Sequence, residues 1–251
     1  MIRDFFAGVG FVGKGFRTYA TSTRLMWLGV VPALIVGIVF AAAIVVLGMN
    51  FDGIVTAITP FARGWALEPL VRIAAGLAIF AIAVVIIVYT YVAVTLAVGD
   101  PFYERIWKAV ELRHGDAPPE KKEGVWRAIG RGLGNGISLF LATVGISLLL
   151  LALGLVPVVG QIAAPVLGAL FGGWFLALEL TGYAFDARGF RLRDRRRLLG
   201  ARRARTLGFG VATYLLFLIP FAVIFVMPAA VAGATLLARD ALPSTRSLRE
   251  Q

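Results

Sequence analysis

The sequence has no cysteine and a single histidine, His114, and only 16% of its residues are charged. The lack of cysteine excludes disulfide bonds, thiolate catalysis and cysteine-ligated metal sites. His114 lies beside charged residues in a polar stretch, where we expect a solvated side chain rather than a metal ligand. No serine has a histidine partner in the apolar segments. We therefore expect no metal, no cofactor and no enzymatic activity.

What the chain has in abundance is apolar residues, which make up 59% of its 251 positions. Since soluble domains carry about 25% charged residues, this composition indicates an integral membrane protein, expected here as one domain over residues 1–251. The net charge of +11 would favour a nucleic-acid partner in a soluble chain. Membrane proteins instead collect lysine and arginine in their cytoplasmic loops, so we expect a lipid bilayer as partner and no nucleic acid.

Long runs without charge divide the chain. The first two runs have 25 and 27 residues, enough for one transmembrane helix each, and the third has 47. The fourth has 33 residues. Two full spans and a turn would require more, about 40 or above. The four runs cover residues 25–49, 73–99, 132–178 and 206–238.

The third run carries a turn-forming motif with Pro157, Gly160, Gln161 and Pro165, which leaves 25 residues before it and 13 after it. A helix of 13 residues reaches about 20 Å, whereas the hydrocarbon core of a bilayer is about 30 Å thick. The sequence therefore predicts a helical hairpin that enters the membrane part way.

The fourth run is interrupted by Pro220 and Pro228, with 14 residues before the first proline and ten after the second. These lengths fit a second short hairpin or one kinked helix. Both alternatives remain open from the residues alone.

The charged segments set the orientation. Of the 25 lysines and arginines, 23 fall in four segments and two in residues 50–72, so the positive-inside rule places both termini and both large loops in the cytoplasm. Within residues 1–24, apolar residues at helical spacing predict an interfacial helix, although the glycines of this segment weaken a helix. The four segments are residues 1–24, the helical loop 100–131, the basic loop 179–205 and the tail 239–251.

Landmarks along the chain, taken in order, resemble those of the CysZ-type sulfate permease family, to which the eukaryotic etoposide-induced membrane proteins are related. The resemblance covers roughly residues 5–239. Its landmarks are Val31-Pro32, Asp100-Pro101-Phe102, the motif from Pro157 to Pro165, Tyr183-Ala184-Phe185-Asp186, Phe209-Gly210, Ile219-Pro220 and Met227-Pro228.

The resemblance implies an all-α polytopic membrane protein with two transmembrane helices and two helical pairs that only partly penetrate the bilayer. It also implies cytoplasmic termini, assembly into homo-oligomers and inward movement of sulfate. In the family a Gly-Leu-Arg-like motif at the start of the first span binds the anion. Ser22-Thr23-Arg24-Leu25 occupies that place here, without the glycine and in a different order. Thr23 and Arg24 are thus the candidate anion-binding residues.

Each candidate also has a structural interpretation. Arg24 fits an oxyanion site beside a helix N-terminus, and it equally fits a topological anchor at the membrane boundary. Residues Pro157, Gly160, Gln161 and Pro165 fit either a plain turn or a broken helix that exposes backbone dipoles to an ion.

The overall expectation is an inner-membrane protein that passes sulfate or a related small anion into the cytoplasm. Because no carboxylate lies inside an uncharged run, a channel-like route is favoured over proton coupling. The alternative is a membrane scaffold that organises other proteins or lipids without transport.

Overall fold

The long uncharged runs form helices. The computed structural model describes residues 1–115, 118, 125–219 and 221–242, and of residues 125–136 it describes the backbone alone. Every regular element within these ranges is helical, which confirms the predicted all-α class. The elements are α1 (Ile2–Ala20), α2 (Thr23–Met49), α3 (Phe51–Ile58), a 3-10 turn (Pro60–Ala62), α4 (Glu68–Arg113), α5 (Val125–Gly154), α6 (Val159–Leu180), α7 (Gly182–Ala187), α8 (Leu192–Ala201), α9 (Arg203–Phe217) and α10 (Ala222–Ala241).

More helices are long enough to cross a membrane than the two that we expected. Among the described residues, five segments have the required length and apolar composition. The protein is thus an all-α membrane protein with a larger number of candidate spans, while the depth of its two hairpins stays a prediction. The five segments are Thr23–Met49, Glu68–Arg113, Ile137–Gly154, Val159–Ala187 and Ala222–Ala241.

Helix α6 accounts for part of this difference, because it begins at Val159 and continues through Pro165. Its 22 residues reach about 33 Å, so the expected arm of 13 residues was wrong. A proline inside a helix removes one backbone hydrogen bond and costs about 3 kcal/mol. Membrane helices nevertheless tolerate prolines, since ending the helix in lipid would expose more unpaired backbone groups.

Two other prolines also lie inside helices rather than at their ends. Pro101 is part of α4, so the helix does not end at residue 99 but runs on to Arg113. Pro228 lies within α10. The fourth uncharged run forms two helices, α9 and α10, rather than one kinked helix. Pro220, most of residues 116–124 and the end of the tail, 243–251, lie outside the described residues.

The chain divides into two compact units, unit 1 with residues 1–28 and 103–251 and unit 2 with residues 29–102. In unit 2, Tyr91 of α4 holds α2. Its hydroxyl donates a hydrogen bond to the carbonyl oxygen of Ala33 at 3.1 Å, and its ring meets Phe40 edge to face at 5.4 Å. A Cβ at Gly37 would lie 3.6 Å from the tyrosine hydroxyl, which is an ordinary van der Waals distance, so this contact does not require glycine.

In unit 1, α10 is the most buried helix and is rich in small residues. Ala229, Ala230, Ala232 and Ala234 are fully buried. Small side chains let neighbouring helices approach to backbone contact. A Cβ built at Gly233 of α10, for example, would lie 2.6 Å from the carbonyl oxygen of Phe11. Close helix packing therefore organises this unit.

The glycines of α1 are part of that packing. We expected them to weaken the helix, yet α1 is continuous from Ile2 to Ala20. A Cβ at Gly8 would overlap the backbone of Arg205, and one at Gly15 would overlap the backbone of Ala229. The loss of intrinsic helix stability at these positions is offset by tertiary contacts with α9 and α10.

Candidate functional site

The predicted anion-binding residues lie at the corner between α1 and α2. The corner is fixed by two hydroxyl groups. Tyr19 donates a hydrogen bond to the carbonyl oxygen of Met26 at 3.2 Å, and Thr21 donates one to the carbonyl oxygen of Arg17 at 2.8 Å. Burial raises the pKa of the Tyr19 hydroxyl, which keeps this group a proton donor. The start of α2 at Thr23 is thereby held in place.

At this corner, two exposed side chains lie between two buried ones. Ser22 is 7% exposed and Leu25 is fully buried, whereas Thr23 and Arg24 are exposed. Arg24 forms neither an ion pair nor a side-chain hydrogen bond with any residue that the structure describes. Arg24 is the second residue of α2, and the first backbone N–H groups of a helix have no partner within it. An arginine and free helix amides can together bind an oxyanion.

The predicted apex motif is divided between a turn and a helix. Only Pro157 lies in the turn between α5 and α6, while Gly160, Gln161 and Pro165 belong to α6. The turn is strained at Val158, whose φ is 66° and whose flanking residues close a γ-turn by a hydrogen bond of 2.8 Å. A β-branched residue with positive φ costs on the order of 1–3 kcal/mol.

Within the motif, Gly160 has a packing role. A Cβ at this position would overlap the carbonyl oxygen of Leu153, so only glycine lets α6 start so close to the end of α5. Gln161 is exposed and makes no side-chain hydrogen bond within the described part of the chain. Gly160 thus serves the close packing of α6 against α5, and the amide of Gln161 is free to contact a solute.

A buried ion cluster that the sequence did not reveal lies near the end of α4. The carboxylate of Glu111 is fully buried and accepts two hydrogen bonds from Arg188, at 2.8 and 3.0 Å. Arg239 of α10 donates to the same carboxylate at 2.6 Å and to the carbonyl oxygen of His114 at 3.1 Å. Arg188 also donates to the carbonyl oxygen of Ala184 at 2.9 Å. We call Glu111, Arg188 and Arg239 the Glu111 cluster.

One sequence signal could have found this cluster. Tyr103, Ile106, Trp107 and Val110 are all buried and follow the spacing of one helix face. Glu111 occupies the next position of that face, eight residues after Tyr103. A carboxylate that continues an apolar stripe has to be paired when the stripe packs, because an isolated buried charge is very costly.

A second buried arginine, Arg195, lies in the basic loop that we treated as a topological signal. Its side chain is 4% exposed, and it pairs with Asp186 at 2.7 Å and donates to the carbonyl oxygen of Leu178 at 2.9 Å. It therefore caps the C-terminal end of α6, where the helix dipole favours a cation. Its neighbours Arg196 and Arg197 are exposed. The basic run thus has structural as well as surface members.

A third group of charges ties α1 to α9 and α10. Arg205 pairs with Asp240 at 2.7 Å and with Asp4 at 3.1 Å, and Arg202 also reaches Asp240 at 2.7 Å. The hydrogen bond and charge of Arg205 hold the pKa of Asp4 below its ordinary value. At a pH above the ordinary pKa of aspartate, this ionised contact contributes its full stabilisation to the folded state. The stabilisation is lost as the pH falls through the lowered pKa of Asp4.

The two predicted sites are not in direct contact through the described side chains. No hydrogen bond or ion pair among the described residues links Thr23 or Arg24 with the motif around Gly160. Nor does any group of three histidine, aspartate or glutamate side chains in the described ranges have the geometry of a metal site. The arginines that are paired and buried define a scaffold, whereas Arg24 is exposed and available.

One comparison with known proteins bears on these residues. A family model described as "Sulfate transporter CysZ/Etoposide-induced protein 2.4" matches residues 11–228. That range includes the corner at Thr23 and Arg24, the hairpin between α5 and α6, and Glu111 with Arg188. It ends before Arg239.

Proposed function

Because the chain belongs to the sulfate transporter CysZ/etoposide-induced protein 2.4 family, we propose that it passes sulfate or a related small anion across the membrane into the cytoplasm. The observation that carries this proposal is the state of Arg24. Its guanidinium is exposed in the first turn of α2 and has no partner among the described residues. An arginine so placed offers a fork of donors to a tetrahedral oxyanion.

Thr23 and the first amides of α2 complete this proposed anion site. The hydroxyl of Thr23 is exposed beside Arg24 and supplies one further donor. The buried neighbours Ser22 and Leu25 fix the backbone, so the backbone amide donors are held in position before the anion arrives. A preorganised site binds at lower entropic cost than one that has to be ordered by its ligand.

The Glu111 cluster is assigned to the scaffold rather than to anion binding. Two arginines share one carboxylate, and each of them has further hydrogen bonds to backbone carbonyl groups. Their donors are therefore engaged. Such a cluster holds the end of α4 against α10 and the segment around Arg188.

The route itself is proposed to be channel-like. No carboxylate lies inside the uncharged runs at 25–49, 73–99, 132–178 and 206–238, so no buried acid is available there to couple transport to protons. Gln161 is neutral and exposed, and we propose that the start of α6 lines part of the pathway. Assembly into a homo-oligomer, an inner-membrane location and cytoplasmic termini belong to the same proposal.

Arg24→Ala tests the proposed site. In liposomes that contain the purified protein, we expect the sulfate concentration for half-maximal uptake to rise about tenfold, because a charge-assisted hydrogen bond contributes roughly 1.5–3 kcal/mol. Arg24→Lys keeps the charge but loses the planar fork, so it is expected to restore uptake only in part.

Arg17→Ala is the matched control for this variant. Arg17 is exposed near the same corner, and its side chain forms no ion pair with a described residue. The Arg17→Ala change removes one positive charge, as Arg24→Ala does, and is expected to leave sulfate uptake unchanged. Equal uptake by the Arg24→Ala and Arg17→Ala proteins would reject Arg24 as the anion site.

A further inference from the structure

A groove in unit 2, on α3 and the start of α4, has the form of a small ligand site. Its volume is about 520 Å³. The walls are mostly apolar and include Phe51, Val55, Leu77 and Phe80. Gly76 of α4 faces Phe51 of α3, since a Cβ there would lie 3.6 Å from the phenyl ring. The groove therefore suits a ligand with a substantial hydrocarbon part.

Two charged side chains of opposite sign line the same groove. Arg72 is held by Glu68, with 2.8 Å between the guanidinium and the carboxylate. Glu68 is in turn fixed by a hydrogen bond from the amide of Gly64 at 3.0 Å. The pair engages one terminal nitrogen of Arg72, and the side chain stays 38% exposed. The guanidinium therefore keeps accessible donors for a ligand in the groove.

The acidic group of the groove is Asp52. It lies in the first turn of α3, is exposed, and forms no ion pair with any described residue. The groove thus presents an unpaired carboxylate and a guanidinium with a free donor to one occupant. Charge complementarity requires that this occupant carry both an anionic and a cationic group.

The position of Arg72 along α4 places the groove at headgroup depth. From Arg72 to Asp100 the helix rises about 42 Å at 1.5 Å per residue. This matches the bilayer thickness of about 40–45 Å with its headgroup regions. Phe61 and Trp65, which precede the helix, are exposed and form an edge-to-face pair at 6.3 Å. Aromatic side chains of this kind are typical of the membrane interface.

We infer that this groove binds a zwitterionic phospholipid with a primary ammonium group, of the phosphatidylethanolamine type. The phosphate accepts hydrogen bonds from Arg72, the ammonium group pairs with Asp52, and an acyl chain lies along Leu77 and Phe80. A free divalent anion fits less well, because the walls are apolar and the carboxylate of Asp52 repels it. This inference does not depend on anion transport.

The test uses the full chain in phosphatidylcholine nanodiscs with a trace of phosphatidylethanolamine that bears a photoactivatable acyl chain. Crosslinks are expected in the peptide that contains Leu77 and Phe80. Asp52→Asn, which changes an exposed side chain, and Arg72→Gln are each expected to reduce crosslinking about tenfold, as the loss of a charge-assisted hydrogen bond does. Arg63→Gln, on an exposed arginine of the same unit outside the groove, is the control and is expected to have no effect.

Competition separates the possible ligands. Unlabelled phosphatidylethanolamine is expected to suppress crosslinking, whereas phosphatidylglycerol, which lacks the ammonium group, and inorganic phosphate are not. Crosslinking that is unchanged in Asp52→Asn or in Arg72→Gln would overturn the inference. So would full suppression by phosphatidylglycerol or by inorganic phosphate. Sulfate uptake measured on the same variants separates a failure of the lipid-site inference from a failure of the proposed transport function.

Discussion

Replacing Glu111 by alanine is expected to lower the free energy of unfolding by about 3–5 kcal/mol, the usual cost of removing one partner from a buried ion pair. The carboxylate is fully buried and is the shared acceptor of Arg188 and Arg239. Without it, two guanidinium groups with little exposure are left close together and uncompensated. The change is measured as the shift of the unfolding transition of the purified protein in detergent.

Glu104→Ala provides the matched control on the same helix. Glu104 pairs with Lys108 at 3.3 Å, but its side chain is 54% exposed. Exposed pairs contribute about 0–1 kcal/mol, so this variant is expected to unfold almost as the wild type does. If Glu111→Ala unfolded like Glu104→Ala, the Glu111 cluster would not be a structural element of unit 1.

Substitutions in α1 are expected to have effects of opposite sign at glycines that lie only a few residues apart. Gly8→Ala and Gly15→Ala each place a methyl group against the backbone of α9 or α10 and are expected to destabilise the protein by about 1–3 kcal/mol. Gly10→Ala meets no atom within 4 Å and is expected to stabilise the helix by about 0.5–1 kcal/mol. Limited proteolysis near residue 20 and thermal unfolding in detergent both report on the docking of α1.

The outcome that would contradict this account is a uniform response. If all three variants were stabilised alike, α1 would be held by its apolar side chains rather than by backbone contacts. If all three variants were destabilised alike, the glycines would be required by the conformation of α1 itself rather than by its packing against α9 and α10. Only the difference between Gly8 or Gly15 and Gly10 identifies the packed face.

The helices and their membrane character could be predicted from the sequence because charge is so unevenly distributed. Each of the four uncharged runs lies mainly in helices, since a segment without charged residues has no other stable form in lipid. The family could be recognised from landmarks in the right order, and the family model confirms it over residues 11–228.

Helix ends could not be predicted as well, and the prolines explain why. Pro165, Pro101 and Pro228 were taken as ends or breaks, yet each lies inside a helix. The intrinsic helix propensity of proline disfavours it inside a helix by about 3 kcal/mol. This value does not include the cost of unpaired backbone groups in the membrane or the stabilisation from packing. The short-arm estimate for the third run failed for this reason.

The candidate anion site stays a prediction. Thr23 and Arg24 were singled out by the resemblance to the family's motif, and both are exposed at the start of α2, with Arg24 unpaired among the described residues. The Glu111 cluster was missed because its members are far apart in the chain, with 77 positions between Glu111 and Arg188. A list of charges cannot tell a paired arginine from a free one, whereas burial and distance can.

The central claim is that the protein moves a small oxyanion through the membrane, and uptake by liposomes tests it most directly. Purified wild-type protein is reconstituted, and entry of radiolabelled sulfate down its gradient is followed against protein-free liposomes. We predict uptake well above the protein-free level that is unchanged when the pH gradient is collapsed. Uptake equal to that of protein-free liposomes would contradict transport and favour the membrane scaffold.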